Sequence, residues 1–277
     1  MTLGVAAVCP WGPFAAEFKA LGLQIRESAI LATDSRWSVG GEPLLDVGKK
    51  LYQVGPAVGA IYAGDVAAAY SGITALKRAY DRARPLGIEA LQRLSQWALA
   101  ESYERERSRR ADEGPRCESV YYVLAVGSLT EGVRLLKVES QAGFRPEPVK
   151  GVVMIGWPTA RDAFVGFLAK GLRDWWRAGK VPNPVTDWAI AVASSLDQVI
   201  SARRERTVGG KVQLAVVSAH GFAPLQIVSL DKVADPPEED IWRTVTVDST
   251  LKELPESSDR RERHRVAGDF GFHQVMD

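Results

Sequence analysis

Strand-like and helix-like runs follow one another in clusters along this chain, and that order leaves few folds open to it. Thr2 to Cys9, Ser28 to Asp34, Lys50 to Val54 and Ala57 to Tyr62 read as strands, the last two joined through Gly55-Pro56. Asp65 then opens a helix in which Val66, Tyr70, Ile73, Leu76 and Tyr80 recur on one face, and Pro85-Leu86-Gly87 stops it. A second helix runs from Ile88 to about Ala111, and its charged end, Glu101 to Arg110, reads as a solvated face. Ser119 to Val126 and Val133 to Ser140 form a hairpin around Gly132, and Val149 to Ile155 is a further strand. Helices at Thr159 to Ala178 and Val185 to Arg204, split by Gly179 to Pro184, lead to a last hairpin of Lys211 to Ser218 and Leu225 to Leu230. Helices that come in adjacent pairs between strand clusters predict an α+β fold: a four-layer αββα sandwich with two antiparallel sheets between helix pairs. A doubly wound parallel sheet would alternate strand and helix one by one, and this chain does not. Val208-Gly-Gly-Lys211 precedes a strand rather than a helix, so it is a poor phosphate loop.

Residues 1–232 are read as one domain and 233–277 as a C-terminal extension. Pro236 to Asp240 is a polar break, and Lys252 to Arg265 is too poor in apolar residues to build a core, so the extension is expected to be partly mobile. A formal charge of +1 argues against nucleic acid and anionic membrane as partners. Cys9 and Cys117 are the only cysteines, which provides neither a disulfide framework nor a metal-type pair and fits a reducing cytoplasm. No apolar run approaches membrane-spanning length. The apolar start lacks a basic leader and runs into Pro10-Trp-Gly-Pro13, so it reads as a buried strand rather than a signal peptide. His220, His264 and His273 stand in turn or tail contexts with no nucleophile and acid arranged around them. Trp175-Trp176 reads as packing or a subunit interface.

Ile30-Leu-Ala-Thr-Asp-Ser-Arg-Trp-Ser38 resembles the second strand and following turn of proteasome β subunits, members of the N-terminal-nucleophile (Ntn) hydrolases. The resemblance continues through Lys49-Lys-Leu-Tyr-Gln-Val-Gly-Pro-Ala-Val-Gly-Ala-Ile-Tyr-Ala-Gly64 and the helix start at Asp65, with Asp34 and Lys50 at the family's spacing of aspartate and lysine. Arg204-Glu-Arg-Thr-Val-Gly-Gly-Lys-Val-Gln-Leu-Ala-Val217 resembles the family's late helix end, Gly-Gly turn and strand.

The resemblance implies a threonine-type hydrolase that cleaves peptide or other amide bonds, with no metal or organic cofactor. Thr2, exposed by removal of Met1, would be nucleophile and, through its α-amine, base. Lys50 would favour deprotonation of the threonine oxygen, and Asp34 would keep Lys50 charged and oriented. Gly64 would mark the oxyanion and substrate-strand region, Tyr62 would line the pocket for the residue before the scissile bond, and Glu205 and Gly209 would support the site. The implied partners are a peptide or unfolded-protein substrate, further copies of the chain in a homo-oligomeric ring packed through the helical layers, and an ATP-dependent unfoldase.

Three departures from the family pattern leave alternatives open. Thr2 lies twice as far ahead of Asp34 as the family's threonine does, and an ungapped alignment puts Phe18 at that position. Either Pro10 to Glu27 is an insertion in the first hairpin and Thr2 is the nucleophile, or Ala20 to Ile25 is the first strand and residues 1–18 are an extension like that of inactive α-type subunits. Trp157-Pro158 occupies the place of a family serine, with Thr159 the nearest hydroxyl. Glu205 and Val208 stand where the family often has Asp and Ser, with Thr207 as a shifted hydroxyl. A catalytically inactive proteasome-like structural subunit and a small-molecule amidohydrolase on the same fold are the competing readings.

Overall fold

The computed structural model describes residues 2–9, 27–39, 42–46, 48–85, 87–111, 117–177, 185–202, 206–227 and 245–247. In chain order the elements are β1 (Leu3–Cys9), β2 (Ser28–Asp34), β3 (Trp37–Val39), β4 (Glu42–Leu45), β5 (Leu51–Gly55), β6 (Val58–Gly64), α1 (Val66–Ala83), α2 (Ile88–Ala111), β7 (Val120–Ser128) and β8 (Gly132–Glu139). A turn of 3-10 helix at Ser140–Ala142 follows, then β9 (Glu147–Val149), β10 (Val152–Gly156), α3 (Pro158–Arg177), α4 (Thr186–Ser201), β11 (Val212–Ser218), β12 (Gly221–Ile227) and β13 (Val245–Val247). The first sheet has the order β10-β1-β2-β11-β12-β13 and the second β5-β6-β7-β8-β9, and every pairing in both is antiparallel. The protein is therefore α+β, with two antiparallel sheets and four helices among the described residues.

Alternation along the strands sorts the apolar residues into three clusters. In β2, Ile30 and Ala32 join Phe164, Leu168, Trp188, Val192 and Leu196 of α3 and α4 on one face of the first sheet. Ala29 and Leu31 point the other way, into a cluster with Ile61 and Ala63 of β6, Val123 and Ala125 of β7 and Leu135 of β8, between the two sheets. The far face of the second sheet, with Tyr62, Tyr122, Leu124 and Leu136, packs on Ile73, Leu76, Leu91 and Leu99 of α1 and α2. Each fully buried Leu or Ile contributes roughly 1.5–3 kcal/mol, so the three apolar layers carry the fold. Small residues set how closely the sheets approach. A Cβ on Gly59 would sit 2.6 Å from the Leu31 side chain and 2.9 Å from Phe222, so a larger residue in β6 there would force these side chains to shift.

Several boundaries differ from those read in the sequence. The single strand expected at Val149 to Ile155 is two: β9 closes the second sheet and β10 opens the first, with Gly151 at φ +74° making the crossing. The last hairpin turns at Ala219-His220 rather than over six residues, so β12 starts at Gly221. The short β3–β4 hairpin and the edge strand β13, in the C-terminal extension, were not read from the sequence. The rest of the extension beyond residue 227 lies outside the described residues, as do residues 10–26. No described helix is long and apolar enough to cross a membrane.

Candidate active site

Thr2 stands at the mouth of the first sheet, one residue before β1, and backbone contacts fix it from both neighbouring strands. Its carbonyl accepts from Trp157 N at 3.1 Å, just past β10. Gly156, at φ +106°, lets the chain pass there, since a Cβ at that position would overlap the Thr2 carbonyl. On the other side Leu3 N donates to Asp34 Oδ1 at 3.0 Å, and Thr33 Oγ1 donates to the Leu3 carbonyl at 3.2 Å. The strand between β10 and β2 is thus Leu3–Cys9, paired on both edges. Of the two hairpin alternatives, this pairing favours an insertion between β1 and β2. Phe18 and the candidate strand at 20–25 lie outside the described residues.

Asp34 ends β2 with its carboxylate fully buried, and the surrounding backbone is shaped around it. Beside Leu3 N, it accepts from Arg36 N at 3.2 Å and Gly209 N at 3.1 Å on Oδ2. Lys50, just ahead of β5 on the second sheet, reaches across with Nζ at 3.1 Å from Oδ1 and 3.2 Å from Oδ2. The same ammonium donates to Thr2 Oγ1. Thr2, Asp34 and Lys50 are 3%, 0% and 1% exposed, so the triad is buried. A buried charge is tolerable only when paired and hydrogen-bonded, and here both ions are. Burial pushes the Lys50 ammonium below its ordinary range; the Asp34 carboxylate opposes that shift, and the Arg36 guanidinium adds to it. Because Lys50 donates to Thr2 Oγ1, the threonine hydroxyl keeps its own proton available for a base.

An outer set of polar residues holds the triad's backbone. Gln213 of β11 accepts on Oε1 from Lys50 N at 2.9 Å and Leu51 N at 3.1 Å, and donates through Nε2 to the Gly48 carbonyl at 2.6 Å. Arg36 pairs with Asp46, Nη2 to Oδ2 at 3.0 Å, and caps the Arg206 carbonyl at 2.9 Å. Its guanidinium lies against Gly209, where a Cβ would collide with it. Ser35 Oγ donates to the Asp46 carbonyl and accepts from Lys211 N at 2.7 Å. Gly209 therefore acts on the site directly, through its bond to Asp34. Sequence reading did not single out Gln213, Ser35 or Asp46. Each is an ordinary polar residue whose partner is distant along the chain or is backbone, and neither leaves a local signal.

The other expected residues sit further out. Tyr62 is buried on the helix side of the second sheet, stacked on Tyr52 with ring centroids 6.2 Å apart. Its hydroxyl donates at 3.1 Å to the carbonyl of Lys49, next to the site lysine. Burial raises its phenol. Gly64 ends β6 at φ +102°, and a Cβ there would overlap the Ser119 carbonyl. Glu205 lies outside the described residues. Val208 and Thr207 are buried, and the Thr207 hydroxyl has no hydrogen-bond partner among the described residues. Thr159 is exposed on α3. Among the described residues no three His, Cys, Asp or Glu side chains gather as a metal site would require.

Taken together, the site offers a buried threonine hydroxyl that accepts from an ammonium, and a carboxylate that orients that ammonium. Compared with known proteins, the sequence matches no protein-family model and no curated protein.

Proposed function

We propose that the protein is a threonine-type Ntn hydrolase resembling proteasome β subunits, which cleaves peptide or other amide bonds. One observation carries this reading: a buried Lys50 ammonium donates at once to Thr2 Oγ1 and to Asp34. The hydroxyl it engages belongs to the residue that removal of Met1 would make N-terminal. The reading requires removal of Met1, so that Thr2 carries a free α-amine. An α-amine titrates at roughly 7.7–8.0, which suits a base near neutral pH.

In the proposed reaction the amine takes the Thr2 hydroxyl proton while Lys50 stabilises the developing oxyanion of Oγ1. Oγ1 bonds to the substrate carbonyl carbon, and the carbonyl oxygen takes up the negative charge. The role of receiving that charge falls, by resemblance, to backbone at Gly64. Collapse breaks the C–N bond, and the α-ammonium returns its proton to the leaving amine. Water, deprotonated by the same amine, then hydrolyses the ester and restores Thr2. Asp34 holds Lys50 in place throughout, and no metal or organic cofactor enters.

The same reading extends to a cytoplasmic homo-oligomeric ring, with an unfolded polypeptide as substrate and an ATP-dependent unfoldase as partner. A second reading, a non-catalytic structural subunit, is favoured by Val208 and by Trp157-Pro158, which replace hydroxyl positions of the resembling family. A fluorogenic peptide panel run beside Thr2→Ala separates the two. The hydrolase reading expects turnover that the alanine variant abolishes, and equal background from both proteins overturns it. Turnover of acyl-amide metabolites without peptides would instead mark a small-molecule amidohydrolase.

A further inference from the structure

We infer that Gln213 is the positioning residue that sets the Lys50-to-Thr2 contact across the gap between the two sheets. This inference rests on the proposed chemistry of Thr2. Thr2 immediately precedes β1 and Asp34 ends β2 in the first sheet, whereas Lys50 precedes β5, the edge strand of the second. No strand ladder joins the two sheets, and the layer between them is apolar. Apolar packing is not directional, so it does not by itself hold an ammonium at hydrogen-bond distance from a particular oxygen.

Gln213 supplies that direction. It projects from β11, which pairs with β2, and Gln213 itself stands opposite Thr33, the neighbour of Asp34. The strand that frames the carboxylate therefore also carries the amide that grips the lysine segment. Three backbone groups are held by one planar amide: the N–H groups of Lys50 and Leu51 on Oε1, and the Gly48 carbonyl on Nε2. Only one orientation of the amide satisfies all three, because flipping it would set NH2 against two N–H donors. The grip spans both sides of Lys50, so it fixes where the main chain launches that side chain. Apart from it, the segment is tied back toward the first sheet by Gly48 N, which donates to the Ser35 carbonyl at 2.8 Å.

A bland role exists beside this one: β5 is an edge strand, and Gln213 satisfies N–H groups that have no strand partner. The two roles part in kinetics. Among the described residues the charged groups that act on Lys50 are Asp34 at the end of β2 and Arg36 two residues on, to which a processed Thr2 would add its α-amine. In Gln213→Met the length is kept and the grip is lost. In Gln213→Glu the acceptor for both N–H groups stays, the bond to the Gly48 carbonyl is lost, and a new negative charge lies beside the Lys50 backbone.

The test is acylation of Thr2 by a peptide β-lactone, followed by intact mass across pH, with hydrogen exchange of residues 48–51 measured in parallel. Gln213→Met is expected to slow acylation roughly 10–100-fold, the usual cost of losing a supporting contact, and to speed exchange at Lys50 and Leu51. Gln213→Glu is expected to recover part of that rate and to move the alkaline limb of the profile to higher pH, because the added charge favours the Lys50 ammonium. Wild-type acylation rates in Gln213→Met would overturn the inference while the hydrolase reading stands. If exchange accelerates but wild-type protein forms no Thr2 adduct, the hydrolase reading falls, and Gln213 is only a strand-edge acceptor.

Discussion

The ion pair in the site is lopsided, and the lopsidedness can be measured. Asp34 serves three backbone N–H groups besides Lys50, whereas among the described residues Lys50 has Asp34 as its only counter-ion. Removing the carboxylate strands a buried ammonium and three backbone donors, two of them buried, a loss of about 3–5 kcal/mol. Removing the ammonium leaves a carboxylate that three N–H groups still solvate. Asp34→Ala is therefore expected to cost more than Lys50→Met in urea denaturation, and the reverse order would contradict the geometry. Of these residues, Asp34 and Lys50 stood out in the sequence because a strand ending in Asp-Ser-Arg and a lysine at a fixed spacing form a local pattern, whereas Thr2 stood out only by following Met1. Gln213 was not, because a glutamine on a strand carries no signal until the chain brings it to Lys50 across 163 residues.

At the scale of elements, the start of α1 joins two features the sequence exposed separately. Asp65 was read as the residue that opens the helix, and its Oδ1 does accept from Ala68 N at 3.0 Å. The charged end of α2 was read as a solvated face, and most of it is one. Arg110 is the exception: it turns in and forks onto Asp65 at 2.6 and 2.9 Å, half-buried. Burial alone would raise the Asp65 carboxyl, but Arg110 and the backbone donors outweigh it and hold it below the ordinary value of 3.8. The unfolded chain then binds a proton before the folded one does, so the contribution is full above that value and is lost as pH falls through the lowered one. Asp65→Ala is expected to cost about 2 kcal/mol at neutral pH through cap and ion pair together. Denaturation at acid pH should show the gap to wild type closing, and a gap independent of pH would refute the assignment. The β9–β10 break escaped sequence reading for a related reason. Both strands are short, and only Gly151 marks where the chain changes sheets.

For the whole molecule, element order foretold the two antiparallel sheets and the helix pairs, because each apolar face needed a partner and pairs of helices could cover one sheet each. Assembly is a separate matter, set by the outer surfaces. Trp97 is 59% exposed on α2, beside a groove of about 470 Å³ that Ala75, Ala79 and Ala98 line with Arg78 and Arg82. If a ring packs through this helical layer, Trp97→Arg should lower the molar mass seen by light scattering without lowering thermal stability. An unchanged mass would put the contact elsewhere. Everything proposed about catalysis depends on a threonine that begins the processed chain and reacts through its oxygen. Intact mass before and after a peptide β-lactone tests that directly. The expected result is a chain lacking Met1 that gains one adduct on Thr2, and an adduct that forms far more slowly in Lys50→Met. A chain that keeps Met1 and gains no adduct would contradict the account.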